Sequence, residues 1–220
     1  MSSRPPSRNE RGVLFLDELP EFHKDVLEIL RQPMEEGEIT LVRSAASETY
    51  PCDIMLVCAM NPCKCGWYGH PSGRCRCAPG EVKKYLSRLS GPLLDRIDLF
   101  AEVPPLEFQN LADRSPGESS AAIRARVVAA RKRQTDRFGP DGPASNAAMG
   151  QEELRAYCVL DPAGQAIMRG AYDSMGLTAR SYDRILRVAR TIADLDGEEA
   201  IAPHHLAEAI QYRESEYFQR

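Results

Sequence analysis

Two adjacent carboxylates, Asp17 and Glu18, close the apolar run GVLFL at residues 12–16. At the carboxyl end of a central strand, such a pair has a defined use. The aspartate holds magnesium, directly or through water, and the glutamate polarises a water that attacks a nucleotide phosphate. The plainer alternative is that both acids cap the helix that follows. A second group lies further on, where Cys63, Cys65, Cys75 and Cys77 form a CxC–x9–CxC array around a loop containing glycine and proline. Two thiolate pairs of this kind can close a tetrahedral sulfur site for zinc, with His70 as a substitute ligand. A redox dithiol or plain free thiols are the competing readings. Cys52, Cys58 and Cys158 sit in strand or helix patterns and read as core.

Cations and aromatics surround the cysteine array. Lys64, Arg74, Arg76, Lys83, Lys84 and Arg88 are interleaved with Trp67 and Tyr68, a mixture that suits single-stranded nucleic acid, with phosphates on the cations and bases on the rings. Alternatively, Trp67 packs over its own metal knuckle. The net charge of -4 exerts no overall pull on nucleic acid, but its distribution is uneven. Asp17 to Glu38 carries net -6, Met60 to Phe100 net +4, and Ala121 to Arg137 net +5. Solvated helix faces would explain each block singly.

The elements that must position these residues follow from periodicity. GVLFLD reads as a strand buried on both faces, as in a parallel sheet. One helix after Pro20 follows, stopped by Pro33 and Gly37. EITLVR and SETYPC form a hairpin around Ser44-Ala45-Ala46. Residues 53–61 make a second buried strand ending at Asn61, followed by a Cys-rich insert at 61–79, a helix near 81–89 and a third strand, RIDLFAEVP, at 96–104. Residues 105–120 have linker composition, and the pattern of 121–220 is wholly helical. Ser120, Asp161-Pro162, Thr178 and Pro203 mark helix starts. The leader at 1–10 is polar and Pro-rich, and reads as disordered. No stretch approaches the ~18 apolar residues of a membrane helix, and no signal peptide is evident, so a cytoplasmic protein without membrane contact is expected.

The ordered motifs GVLFLDELPEF, AMNPC, GPLLDRIDL and TARSYDRILRVARTIADL resemble those of the magnesium-chelatase-like branch of AAA+ ATPases, in particular the ComM/YifB group, from about Gly12 to Arg213. The resemblance implies an α/β fold: a partial AAA+ parallel-sheet core at 11–104, bearing a zinc-knuckle-like insert and followed by an all-α lid domain. It also implies ATP and Mg2+ as cofactors. Asp17 and Glu18 then look like the Walker B pair, Asn61 like sensor 1, and Arg96 like the arginine finger that reaches the ATP of an adjacent subunit. Arg180 looks like sensor 2 on the lid, with Arg184 and Arg187 on the same helix face as substitutes. An ordinary surface ion pair is the alternative for each arginine. In this family the hairpin faces the pore of a hexameric ring of identical subunits, which makes Arg43 a second candidate, beside the cysteine insert, for contact with single-stranded or branched DNA.

Two features depart from the family. The phosphate loop G-x-x-x-x-G-K-[ST] occurs nowhere in the 220 residues, and the leader 1–10 does not resemble the family's approach to Walker B. A truncated product with negligible ATPase activity of its own is therefore expected. Three functions remain in view: part of a DNA-remodelling motor of the branch-migration type used in natural transformation, an ATPase partner of a metal chelatase, and a non-enzymatic zinc-stabilised binding module.

Overall fold

A computed structural model of the chain describes residues 11–43, 46–104 and 117–213, with the backbone alone for residues 11, 43 and 46. The leader at 1–10, the hairpin turn at Ser44-Ala45, most of the linker composition (105–116) and the tail at 214–220 lie outside the described residues. The chain forms two compact units, one up to Ile97 and one from Asp98.

In the first unit, β1 (Arg11–Leu16) pairs in parallel with β4 (Asp53–Cys58), in a register running from Arg11 opposite Asp53 to Leu16 opposite Cys58. Between them lie α1 (Lys24–Ile29), α2 (Arg31–Glu36) and the antiparallel hairpin β2 (Glu38–Arg43) with β3 (Ala46–Pro51). The single helix expected after Pro20 is in fact these two. Proline has no amide hydrogen and its ring collides with the carbonyl four residues back, so Pro33 breaks the helix at Ile29 and is accommodated in the first turn of the next. Gly37, in the left-handed conformation, ends α2 as expected and donates to the Pro33 carbonyl at 3.1 Å.

The expectation that both strands are buried on both faces is corrected. Val13, Phe15 and Met55 are 69%, 58% and 66% exposed, so one face of the pair is open among the described residues. The expected third strand is also corrected: residues 97–104 carry no ladder. A strand is defined by its partner, and here the Phe100 amide bonds instead to the Tyr212 carbonyl at 2.7 Å, while Val103 is 90% exposed. The small core of this unit gathers Leu19, Leu27, Val82, Tyr85, Leu89 and Leu93, with contributions from α3 (Pro79–Leu86) and α4 (Gly91–Leu94).

The second unit is helical: α5 (Ser120–Phe138), α6 (Gln151–Tyr157), α7 (Pro162–Met175), α8 (Ala179–Asp196) and α9 (Pro203–Gln211). Ser119, not Ser120, caps α5, accepting from the Ala122 amide at 3.2 Å. Asp161 and Thr178 cap α7 and α8 as expected, through the Gly164 and Ser181 amides at 2.6 and 3.1 Å. The apolar stripe of α8 buries Ile185, Leu186, Ala189 and Ile192 in one cluster with Met168, Leu206 and Ile210, and Ala193 is buried as well. Each large side chain so buried contributes about 1.5–3 kcal/mol. A polar knot is set into this packing. Asp194, 1% exposed, accepts from both guanidinium nitrogens of Arg137, lies 3.2 Å from Arg190, and accepts from Asn146 at 2.8 Å. No helix among the described residues is long and apolar enough to cross a membrane.

Candidate functional site

The carboxylate pair stands where the parallel register delivers it, just beyond the last residue of β1. The Leu16 carbonyl receives the Ala59 amide at 2.9 Å, and the Leu19 amide donates to the Ala59 carbonyl at 3.0 Å. Leu19 is 2% exposed and Pro20 is buried, so the chain must swing from the strand into the core within two residues. Glu18 makes that swing at φ 52, the only positive-φ non-glycine among the described residues. For such a residue this conformation costs about 1–2 kcal/mol. Glycine would make the turn more cheaply, so a glutamate at this position points to use of its side chain. Asp17 and Glu18 both face solvent, and Asp17 Oδ1 accepts the Glu18 amide at 2.9 Å. Neither caps α1, whose N-cap is His23, and the Glu18 side chain caps nothing. The helix-capping alternative is therefore not what the chain does.

Asn61 follows β4 as Asp17 follows β1, so both lie beyond the carboxyl ends of neighbouring parallel strands. Its exposed side chain comes close to the first turn of the cysteine insert. A Cβ built on Gly66 would stand 3.9 Å from Asn61 Oδ1, and Gly66 itself is at φ +79. Two further left-handed glycines, Gly69 and Gly73, fold the insert back on itself.

The fold gathers Cys63, Cys65, Cys75 and Cys77 so that all four sulfurs lie within 4.8 Å of one another. Sulfur separations are 3.3 Å for Cys63–Cys65, 3.8 Å for Cys63–Cys75 and 3.7 Å for Cys65–Cys75. A tetrahedron with zinc–sulfur bonds of ~2.3 Å has edges of ~3.8 Å, so the residues fit the metal. Backbone amides of Arg76 and Trp67, with the Cys63 thiol, pull Cys65 down to about 6. Cys77, although favoured as a thiolate by the Cys65 amide, is pushed up to about 12 by the Cys65 sulfur, burial and Cys63. Four thiolates this close repel one another, and a bound cation relieves that repulsion. His70 is outside the sulfur group: its Nδ1 accepts the Ser72 amide at 3.0 Å and its ring meets Trp67 edge-on at 4.9 Å. Cys158 is buried, as expected of a core residue, whereas Cys52 and Cys58 are half-buried; burial pushes Cys58 and Cys158 up to about 11.

The insert's surface carries exposed Lys64, Arg74 and Arg76, and Arg74 stacks over the Trp67 ring at 5.1 Å. Trp67 and Tyr68 remain 38% and 44% exposed. Arg88 is engaged elsewhere, donating to the Pro20 carbonyl and Glu21 at 2.8 and 2.9 Å. Tyr85 lies in the core close enough to feel both groups: burial first, then the charges of Glu21, Cys63 and Glu18, raise its hydroxyl. Arg43 occupies the last paired position before the hairpin turn, opposite Ala46.

Arg96 is 6% exposed, its guanidinium 2.5 Å from Glu35 of α2 and donating to the Pro92 carbonyl. Glu35 was not singled out by sequence, and no spacing rule links α2 to position 96. On the second unit, Arg180 is exposed at the start of α8. Arg184 donates to Asp98 at 2.8 Å, and Arg187 donates to the Met149 carbonyl. Sequence reading also missed the Asp196, His204 and His205 group, whose donor atoms lie within 4.8 Å of one another. His205 Nδ1 accepts the Ala202 amide at 3.0 Å, which leaves the proton on Nε2, facing Asp196 at 3.1 Å. That tautomer serves a helix cap rather than a metal. A histidine three residues after the N-cap was the available signal.

Residues 5–111 match the family described as magnesium chelatase, subunit ChlI, and residues 117–213 match its C-terminal part. The match begins inside the leader, earlier than the expected start near Gly12. The chain is 46% identical over 205 residues to the competence protein ComM of Haemophilus influenzae, and 45% identical over 204 to the uncharacterized protein YifB of Escherichia coli. Each alignment covers 92% of this chain and 39% of the relative, so the chain spans about two-fifths of the length of these proteins. An uncharacterized Mycobacterium tuberculosis protein is 39% identical over 209 residues, 95% of this chain and 41% of its own. Matched over nearly its whole length by the two consecutive parts of that family and by these relatives, the chain belongs to the magnesium chelatase ChlI family, among relatives of ComM and YifB.

Proposed function

We propose that these residues are the water-activating and lid portion of an ATP-dependent AAA+ motor that remodels DNA. The observation that carries the reading is the Asp17-Glu18 pair, held at a strand end by a strained backbone and serving no cap, beside the strand that leads to Asn61. Asp17 would hold magnesium, which screens phosphate charge when bound. Glu18 takes a proton from the attacking water, and the Asn61 carboxamide orients that water without adding charge. Arg96 stabilises phosphate charge in an adjacent subunit of a hexameric ring, which requires its release from Glu35, and Arg180 contacts phosphates from the lid. Zinc on Cys63, Cys65, Cys75 and Cys77 orders an insert that presents Lys64, Trp67, Arg74 and Arg76 to single-stranded or branched DNA, with Arg43 on the hairpin as a further contact.

The printed name of the Haemophilus relative, a competence protein, supports a role in natural transformation, in the cytoplasm. Metal-chelatase partnership is the second reading, supported by the family's description; the exposed aromatics and cations of the insert favour DNA. The 220 residues alone, which contain no G-x-x-x-x-G-K-[ST] cradle, hydrolyse no ATP and act as a zinc-stabilised binding module. The test is ATP turnover by a chain completed with the unmatched portion of ComM. Turnover that rises severalfold with single-stranded oligonucleotide supports the motor. Turnover indifferent to DNA, or equal turnover by the 220 residues alone, contradicts it.

A further inference from the structure

Two exposed stripes on this chain pair apolar residues with charges of opposite sign. Val26 and Ile29 on α1, with Phe22 a turn earlier, follow helical spacing and are 50%, 67% and 36% exposed. They lie within the Asp17–Glu38 block of net -6, and Asp25 between them has a side chain 86% exposed. On α5, Ile123 and Val127 continue the same helix face that buries Ala130 and Gln134 further along, yet they are 42% and 44% exposed. The first two turns of α5 thus extend an apolar face beyond the bundle that covers its second half. Arg124 and Arg131, both exposed, flank this stretch within the Ala121–Arg137 block of net +5. At a rise of ~1.5 Å per residue, Val26 to Ile29 spans about 4.5 Å and Ile123 to Val127 about 6 Å.

We propose that the basic-flanked stripe of α5 receives the acid-flanked α1 stripe of a second copy of this chain. Opposite charge steers and registers the two faces, and burial of Val26, Ile29, Ile123 and Val127 holds them. Each copy presents one half of the contact at each of two places, so the interface is heterologous and propagates head to tail. A nucleic acid would satisfy Arg124 and Arg131 but would leave Ile123 and Val127 against a charged backbone, whereas the α1 stripe answers both. This assigns surfaces to the self-association in the proposed function, and it stands whether or not ATP is the substrate.

The test is complementation between two variants of the 220-residue chain, followed by sedimentation equilibrium at low and high salt. Val26→Ser/Ile29→Ser spoils the α1 face, and Ile123→Ser/Val127→Ser spoils the α5 face; all four positions are exposed, and circular dichroism matching the native chain verifies folding. The native chain associates, less so in high salt. Each variant alone associates at least about tenfold more weakly. An equal mixture recovers native affinity but stops at a dimer, because only one intact interface forms. A second pair, Arg124→Ser/Arg131→Ser, weakens association while leaving the apolar residues in place. Four results overturn the proposal: a monomeric native chain at about 100 μM, variants that associate like the native chain, a mixture that does not pair, or single-stranded DNA binding lost in the α5 variant with self-association unchanged. Association that survives in both variants would mean a ring built through other faces, leaving the motor reading itself intact.

Discussion

Replacing Asp194 by asparagine removes one negative charge from a position that is 1% exposed and leaves two guanidinium groups facing it. Arg190 and Arg137 have side chains only 2% and 15% exposed, so solvent replaces little of what is lost. Arg190 keeps the carbonyls of Glu198 and Glu199, each at 2.5 Å, but Arg137 loses its bidentate partner, and Asn146 loses an acceptor at 2.8 Å. Breaking a buried pair from one side costs about 3–5 kcal/mol. In a helical unit of this size, that lowers Tm on the order of 15 °C or more. Acid gives the same answer by another route. Burial would raise the Asp194 carboxyl, but hydrogen bonds from Arg137 and Asn146 and the charges of Arg190 and Arg137 outweigh it, and the net direction is down. A carboxyl with a depressed native pKa contributes stability that is present above its ordinary range near pH ~4 and lost as pH falls through the native value. Thermal melts of native and Asp194→Asn chains, followed at 222 nm from pH 7 to pH 3, should therefore converge at the acid end. A loss below about 1 kcal/mol at pH 7, or a difference that widens on acidification, would refute the reasoning.

Elemental analysis of the reduced, purified chain should find about one zinc per chain, and Cys75→Ser should lower metal content and loosen the insert, read as faster proteolysis between Asn61 and Pro79. Metal-free native protein with an insert as resistant as the loaded form would contradict the knuckle. Trp67→Ala should weaken binding of a single-stranded oligonucleotide by about 1–3 kcal/mol, and Arg74→Ala should reduce the salt dependence of that binding. Unchanged affinity and slope in both would remove the insert from the DNA surface.

The parts of the fold legible in the sequence were those set by local rules. The Asp161-Pro162 and Thr178 caps and the glycine stop at Gly37 all depend on neighbours within one or two turns. What escaped depends on distant partners. Residues 97–104 have strand composition but bond to Tyr212 instead of a sheet edge, and Val13 and Phe15 carry an apolar pattern whose covering layer no local rule can supply. Pro33 was read as a stop when its clash lies four residues back, so it divided the helix. The short α6 was missed because Gln151–Tyr157 has too few apolar residues to show a period. In the site, the carboxylates, Asn61 and the four cysteines were visible as types and spacings. The left-handed Glu18, the approach of Gly66 to Asn61 and the Glu35–Arg96 pair were not, since each joins residues that tertiary packing alone brings together.

Asp17 and Glu18 divide the labour in the proposed motor, and one measurement addresses that division directly: magnesium-dependent ATP affinity and turnover, in parallel, for Asp17→Asn and Glu18→Gln in the chain joined to the unmatched portion of ComM. Glu18→Gln should bind ATP with native affinity in the presence of magnesium and lose turnover by about 10²-fold or more, while Asp17→Asn should lose the magnesium dependence of binding itself. Native turnover in Glu18→Gln, or the same response to magnesium in Asp17→Asn as in the native protein, would contradict the assignment of these two carboxylates.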